Sequence, residues 1–263
     1  LLREKDLEIR MEKALADGEF LVYIQPKYWV GTRALAGGEA LVRWKSPDQG
    51  FLSPGEFIPL FEKNRFIVKL DQFMFTPVCG LLRQWLDAGI EPRPLSVNVS
   101  RMQFHTPDFV ERYIRIKSQY AIPDGLLELE FTESIFFDNV ALLSSAVHEL
   151  RRAGIKCSID DFGVGYSSLN VLKALPVSVL KLDGMFFRTA KDDEQAKIVI
   201  RNIMRMAGEL KMATVAEGVE THEQVAFLET TGCDIIQGYV FARPMPAAEF
   251  TELLAGEGGH AER

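Results

Sequence analysis

The sequence predicts an α/β barrel of the TIM-like (β/α)8 type, and three observations carry the prediction. Its 263 residues fit one such barrel, which takes roughly 250. Eight short β-rich runs alternate with longer helical patterns, the order expected when helices cross between parallel strands. Helix ends are followed by a glycine and a new strand at Gly89, Gly154 and Gly232, the punctuation of helix-to-strand turns.

In chain order, residues 1–18 are charged, free of proline and dotted with Leu, Ile and Met, which reads as a connector helix entering from an upstream domain. The barrel is assigned to residues 19–254 and the remainder, 255–263, to a C-terminal tail. Its expected strands are FLVYIQP (20–26), GGEALVRW (37–44), PLSVNVS (94–100), LLELEFT (126–132), IKCSIDD (155–161), VSVLKLD (177–183), MATVAEG (212–218) and DIIQGYV (234–240). Too few residues separate the first two for a helical crossover, so they are expected to pair as an antiparallel hairpin. Helix starts are marked by Ser53-Pro54-Gly55-Glu56 and Thr221-His222-Glu223-Gln224, both spaced as capping boxes, and by Thr106-Pro107.

Composition narrows the function classes. Hydrophobic residues make up 47% and charged residues 25%, ordinary values that exclude disordered and fibrous chains. No run approaches the roughly 18 apolar residues of a membrane span. The 30 basic and 37 acidic side chains leave a net charge of −7, so the surface lacks the footprint of a duplex nucleic-acid binder, and a phosphate ligand needs local cations. Cys79, Cys157 and Cys233 are scattered and odd in number, which argues against a disulfide framework or a zinc site and for a reducing, cytoplasmic setting. The chain starts at Leu1 with no apolar leader and reads as a piece of a longer protein, which leaves membrane attachment of the whole open.

Chemistry in a parallel barrel belongs at the C-terminal ends of the strands. Seven of the eight strands deliver a polar group there: Glu39, Asn98, Glu130, Asp160 with Asp161, Lys181 with Asp183, Glu217, and Gln237. The carboxylates Glu39, Glu130, Asp160, Asp161 and Glu217 need cations if they are to share one space. Hard oxygen donors, with Asn98 as an amide ligand and no paired His or Cys, select Mg²⁺ or Mn²⁺ over zinc. Adjacent Asp160 and Asp161 can serve two ions about 3.5 to 4 Å apart, the arrangement of metal-assisted phosphodiester hydrolysis. Lys181 can neutralise the cluster or orient water, Glu217 can take the water's proton, and Arg43 can offer a bidentate fork to a phosphate.

Singly, each residue has a plainer explanation: a salt bridge for Lys181 or Glu217, a turn for Asn98, a helix cap for the Asp pair. What the plainer explanation leaves out is their recurrence at matching positions of strands that otherwise read as buried, where unpaired charge is costly. Other motifs fail. Phe162 to Ser168 begins like a dinucleotide loop but lacks the third glycine and follows two acids, no G-x-S-x-G elbow exists, and the four histidines are scattered. Phe136, Phe137, Phe186 and Phe187 read as packing residues.

The motifs EALVRW (39–44), SVNVS with Asn98, EFTES (130–134), DDFGVGYSSL (160–169), LKLD (180–183), VAEGVET (215–221) and QGY (237–239) together resemble the EAL-domain cyclic di-GMP phosphodiesterases over residues 19 to 250. The resemblance implies a barrel whose first strand runs antiparallel. It also implies hydrolysis of one phosphodiester bond of cyclic di-GMP to the linear dinucleotide pGpG, with two Mg²⁺ or Mn²⁺ ions per site and inhibition by Ca²⁺. Carried over by motif, Glu39, Asn98, Glu130 and Asp160 hold one metal, and Asp160, Asp161 and Glu217 the second. Lys181 and Glu217 serve the attacking water. Gln25, Leu41, Arg43 and Gln237 touch the substrate, Asp71, Glu220 and Pro244 line the guanine pockets, and Glu133 steadies the loop from Asp161 to Leu169. A homodimer and an upstream sensory or GGDEF-type domain are the partners it implies.

Four positions depart from the family pattern: Val164 for a common Thr, Ser178 for Asp, Gly184 for Arg, and Phe61 for a small residue. None is among the expected ligands. Two rivals remain on the residues: a cyclic di-GMP receptor without turnover, which typically has gaps among the acidic ligands, and an unrelated Mg²⁺ barrel acting on enolisable acids, which leaves Arg43 and Gln25 unexplained.

Overall fold

The structure, a computed structural model, describes residues 2–133, 140–163, 172, 176–189 and 193–258. Its strands are β1 (Phe20–Trp29), β2 (Leu35–Ser46), β3 (Gly50–Leu52), β4 (Leu95–Asn98), β5 (Leu127–Thr132), β6 (Ile155–Phe162), β7 (Val179–Leu182), β8 (Ala213–Ala216), β9 (Ile235–Ile236) and β10 (Met245–Pro246). They form one sheet in the order β10-β1-β9-β8-β7-β6-β5-β4-β2-β3, closed by a β1–β2 pairing. With β3 and β10 as edge additions, eight strands ring a TIM-like barrel. β1 is antiparallel to both of its barrel neighbours, β2 and β9, while the neighbours from β2 round to β9 are parallel. All eight expected strands are present. The short β3 and β10 were not expected, and β1 continues past Pro26 to Trp29.

Helices cover the barrel: α1 (Leu2–Ala16), α2 (Pro54–Lys63), α3 (Ile67–Asp87), α4 (Phe109–Gln119), α5 (Val140–Arg152), α6 (Met185–Thr189), α7 (Glu194–Glu209), α8 (His222–Glu229) and α9 (Ala247–Gly258). Apolar residues on the outer faces of the strands meet them. On α3 the buried set Ile67, Leu70, Met74, Val78, Leu82 and Trp85 follows the three-to-four spacing that puts one stripe against the sheet. α1 packs on the barrel through buried Leu7 and Ala14, and Arg10 donates to Ser46 Oγ at 2.7 Å. The last helix runs through Gly258, into the stretch read as a tail.

The capping signals are mostly as expected. Thr221 and Gln224 form a reciprocal box, with Gln224 N–H to Thr221 Oγ1 at 3.2 Å and Thr221 N–H to Gln224 Oε1 at 3.1 Å. Glu56 Oε2 accepts the Ser53 N–H at 2.8 Å. Thr106-Pro107 does not start a helix. It ends the 3₁₀ turn Arg101–His105, and α4 begins at Phe109 after a left-handed Asp108. Gly89, Gly154 and Gly232 all sit at positive φ, where their lack of a side chain removes the strain of the turn.

Phe61 belongs to an aromatic cluster with Phe20, Trp44, Phe57 and Phe66, with ring centroids 4.8 to 6.1 Å apart. Its departure from a small residue is therefore a packing choice. The three cysteines are buried free thiols. No described helix is long and apolar enough to cross a membrane.

Candidate active site

The barrel interior is polar. Lys27, Glu39, Ser96, Glu130, Ser158 and Lys181 come from six different strands and all are buried. Their placement follows from the two-residue period of a strand: on β5, Glu130 points inward while Leu129 and Phe131 face the helices.

Lys181, fully buried on β7, is the hub. Its ammonium lies 2.7 Å from Glu217 Oε1, 3.1 Å from Asp160 Oδ1 and 3.5 Å from Glu39 Oε2, and makes a close ion pair with Glu130 Oε2. Glu39 also accepts 2.6 Å hydrogen bonds from Asn98 Nδ2 and from Gln237 Nε2, and Gln237 reaches Gln25 Oε1 at 3.2 Å. Seven residues that the sequence places at separate strand ends therefore share one hydrogen-bonded network.

Adjacent residues of a regular strand face opposite ways, so a bare Asp-Asp pair does not deliver two carboxylates to one site. A bulge resolves this. The β6–β7 register shifts between Ile159 and Phe162, and Asp161 takes a left-handed φ of +54°, which Asp tolerates better than most residues. Asp160, Asp161 and Glu217 consequently bring one oxygen each within 4.8 Å of one another.

These groups line a cavity of about 420 Å³, with Gln25, Glu39, Leu41, Asp160, Asp161, Asp183, Glu217, Glu220, Gln237 and Tyr239 in its wall. A second, mainly apolar cavity of about 230 Å³ shares Leu41 with it and carries Arg43, Asp71 and Asn98 beside Ile58, Leu70, Met74 and Val97. Arg43 stands 5.6 Å over the Tyr23 ring and donates to its neighbour's carbonyl, Val42 O, at 2.8 Å. Asp71 accepts the Ser100 N–H at 2.9 Å and Gln103 Nε2 at 3.2 Å. Pro244 is half-buried just before β10 and lines neither cavity. Glu133 Oε2 accepts the N–H of Gly163 at 3.1 Å, at the root of the loop that runs on from Asp161. The rest of that loop, Val164 included, lies outside the described residues, as do Phe136 and Phe137. Gly184 packs on Gly218 next to Glu217, where a Cβ would stand 3.2 Å from the Gly218 backbone, so its departure from Arg keeps this wall close.

Two members of the network escaped the sequence reading, Lys27 and Ser96. Lys27 Nζ lies 2.7 Å from Ser96 Oγ and 2.9 Å from Glu130 Oε1. The signal is a lysine two residues after Gln25, on the same strand face, on a strand that runs three residues past Pro26 to Trp29.

Electrostatics divides the carboxylates. Burial favours a neutral Glu130, but the Lys181 and Lys27 charges outweigh it and hold the group well below the usual carboxylate range. Glu217 goes the other way: burial pushes it well up, Lys181 only partly opposes this, and Asp160 and Glu39 add to it. Glu39 is raised by burial and by Glu130, and Asp161 is pushed up to about 6 by burial and by Asp160. A site whose acids repel one another despite two buried lysines is short of positive charge. Its donors are all oxygen, and three of them converge, which fits a hard divalent cation.

The EAL domain profile matches residues 9–244. The chain belongs to the EAL domain family. Among its relatives is the Pseudomonas aeruginosa bifunctional diguanylate cyclase/cyclic di-GMP phosphodiesterase MucR, 35% identical over 245 residues, which are 93% of this chain and 36% of that protein. The cyclic di-GMP phosphodiesterase NbdA of the same organism is 36% identical over 252 residues, 96% of this chain and 32% of that one. The chain thus spans about a third of the length of these relatives. The solved structure of the PaMucR phosphodiesterase in complex with c-di-GMP superposes with a TM-score of 0.87 at 35% identity, covering 93% of this chain and 99% of that one.

Within this EAL domain, Asp71 gives a pH signature independent of the acidic hub. Burial, the largest influence, raises it from 3.8 to about 7 against the hydrogen bonds from Ser100 and Gln103. An acid raised in the folded state binds more protons folded than unfolded between those values, so stability falls as pH climbs through that window and stays lower above it. Asp71→Asn is expected to flatten this slope and to gain up to about 4 kcal/mol over wild type at pH 8. Urea unfolding at pH 5 and pH 8 reads both, and equal slopes in the two proteins contradict the assignment.

Proposed function

We propose that this EAL domain is a cyclic di-GMP phosphodiesterase that opens one phosphodiester bond to give linear pGpG. The observation that carries the reading is that Glu39, Asp160, Asp161 and Glu217 line one cavity at the C-terminal end of the barrel, tied together beneath it by Lys181, with Glu130 and Asn98 bonded into the same network. The relatives' names and the c-di-GMP complex of PaMucR support the substrate. Glu39, Asn98, Glu130 and Asp160 would hold one Mg²⁺ or Mn²⁺, and Asp160, Asp161 and Glu217 a second. When bound, such ions supply Lewis acidity toward the phosphate and make water a better nucleophile near neutral pH.

The chain's own residues do the rest. Arg43, fixed over Tyr23 in the wall of the apolar cavity, presents its guanidinium to a phosphate near the shared Leu41. Leu41 forms the shared wall, and the apolar cavity with Asp71 takes a base. Glu217 accepts the proton of the attacking water at its carboxylate, held in place by Lys181 Nζ. The water oxygen joins phosphorus, the bond to the 3′ oxygen breaks, and that oxygen takes a proton from solvent as Glu217 returns its own to solvent. Glu133 anchors the start of the loop beside Asp161 through the Gly163 N–H.

A substrate panel tests the base assignment. With Mg²⁺, cyclic di-GMP is expected to be converted and cyclic di-AMP to be left largely intact, because a pocket built to bond a polar edge rejects the analogue that cannot pair with it. Equal conversion of both contradicts the guanine reading.

A further inference from the structure

We propose that Lys27 is a positioning residue for Glu130, fixing which of that carboxylate's two oxygens turns toward the Lys181 hub and its acidic face; the inference rests on reading that face as a divalent cation site. Glu130 is 1% exposed and has no solvent to orient it. Each of its oxygens is held by a different ammonium, Oε1 by Lys27 at 2.9 Å and Oε2 by Lys181.

The two lysines are not equivalent. Lys181 is shared among Glu39, Glu130, Asp160 and Glu217, and three of those line the acidic cavity. Lys27 contacts one carboxylate only and lines neither of the two cavities around the site. It is anchored from behind by Ser96 Oγ at 2.7 Å, whose hydroxyl donates to Gly38 O at 3.4 Å. Charge-assisted bonds of this kind fix a carboxylate's rotation as well as its charge.

Lys27 therefore commits Oε1 to the barrel floor and leaves Oε2 as the oxygen turned toward Lys181, the ammonium shared with the three cavity-lining carboxylates. Residues that orient a metal-holding side chain typically matter 10- to 100-fold for metal affinity. Lys27 fills that place for Glu130, working from β1 through a strand neighbour that is itself buried.

The test uses Mn²⁺ alone, without nucleotide, titrated into the intact chain and followed by electron paramagnetic resonance. Lys27→Met keeps the length and packing of the side chain and removes its charge. It is expected to raise the Mn²⁺ dissociation constant about 10- to 100-fold. Ser96→Ala, a change too small to threaten the fold, is expected to weaken binding in the same direction by a smaller factor. In a Glu130→Gln background, where Asp160, Asp161 and Glu217 remain to take up Mn²⁺, Lys27→Met is expected to add nothing, because it acts only through Glu130.

Unchanged Mn²⁺ affinity in Ser96→Ala and Lys27→Met overturns the proposal, as does a full additional loss in the Glu130→Gln background, which is the mark of a general structural role. Should Lys27→Met fail to fold, Ser96→Ala alone decides. Wild-type protein that takes up no Mn²⁺ overturns the cation-site reading itself, a result distinct from either.

Discussion

Replacing Lys181 with methionine is expected to lower kcat for cyclic di-GMP about a thousandfold while leaving KM near the wild-type value. The ammonium touches four carboxylates at the barrel mouth and holds the Glu217 oxygen proposed to take the water's proton, so its loss is expected to strike the chemical step. Removing one partner of a buried charge cluster also leaves the others unpaired, which costs about 3 to 5 kcal/mol. That loss is expected in full with a chelator present and reduced with Mn²⁺, because a divalent cation answers the same carboxylates. Steady-state kinetics and urea unfolding with and without Mn²⁺ read the two effects separately. Equal losses in kcat and KM would instead mean that Lys181 merely holds the phosphate.

Glu39→Ala is expected to abolish measurable turnover with a smaller effect on stability. Glu39 accepts hydrogen bonds from Asn98, Gln237 and Lys181 and faces the acidic cavity, so truncation removes a proposed metal ligand and frees three donors at once. Gln237 and Asn98 are left beside cavities and Lys181 keeps three other carboxylates, which limits the cost to about 1 to 3 kcal/mol. The discriminating readout is the ratio: activity lost, fold kept. Wild-type turnover in Glu39→Ala would remove it from the site.

Much of this was legible in the sequence because barrel strands announce themselves by short apolar runs, and a polar group at the end of such a run is conspicuous. Glu39, Glu130, Lys181, Glu217 and Gln237 were found that way. What was not legible depends on geometry that spacing alone does not encode. The β6 bulge that turns Asp160 and Asp161 together requires a left-handed Asp161, which no local residue dictates. Lys27 lies beyond Pro26, a residue that disfavours strand interiors, yet β1 continues through it to Trp29 with Lys27 buried. The start of α4 was misplaced because Thr106-Pro107 has the form of a helix start, whereas Thr106 closes a 3₁₀ turn. The short β3 and β10 are edge additions whose partners lie on β2 and β1, so their own few residues carry little signal.

The most direct measurement of the central claim is incubation of the purified chain with cyclic di-GMP and Mg²⁺, with a parallel Ca²⁺ sample, followed by chromatography of the nucleotides. Conversion to the linear dinucleotide with Mg²⁺, and recovery of intact cyclic di-GMP with Ca²⁺, is the predicted result. Cyclic di-GMP that binds in Mg²⁺ and is recovered unchanged would contradict it and make this barrel a receptor.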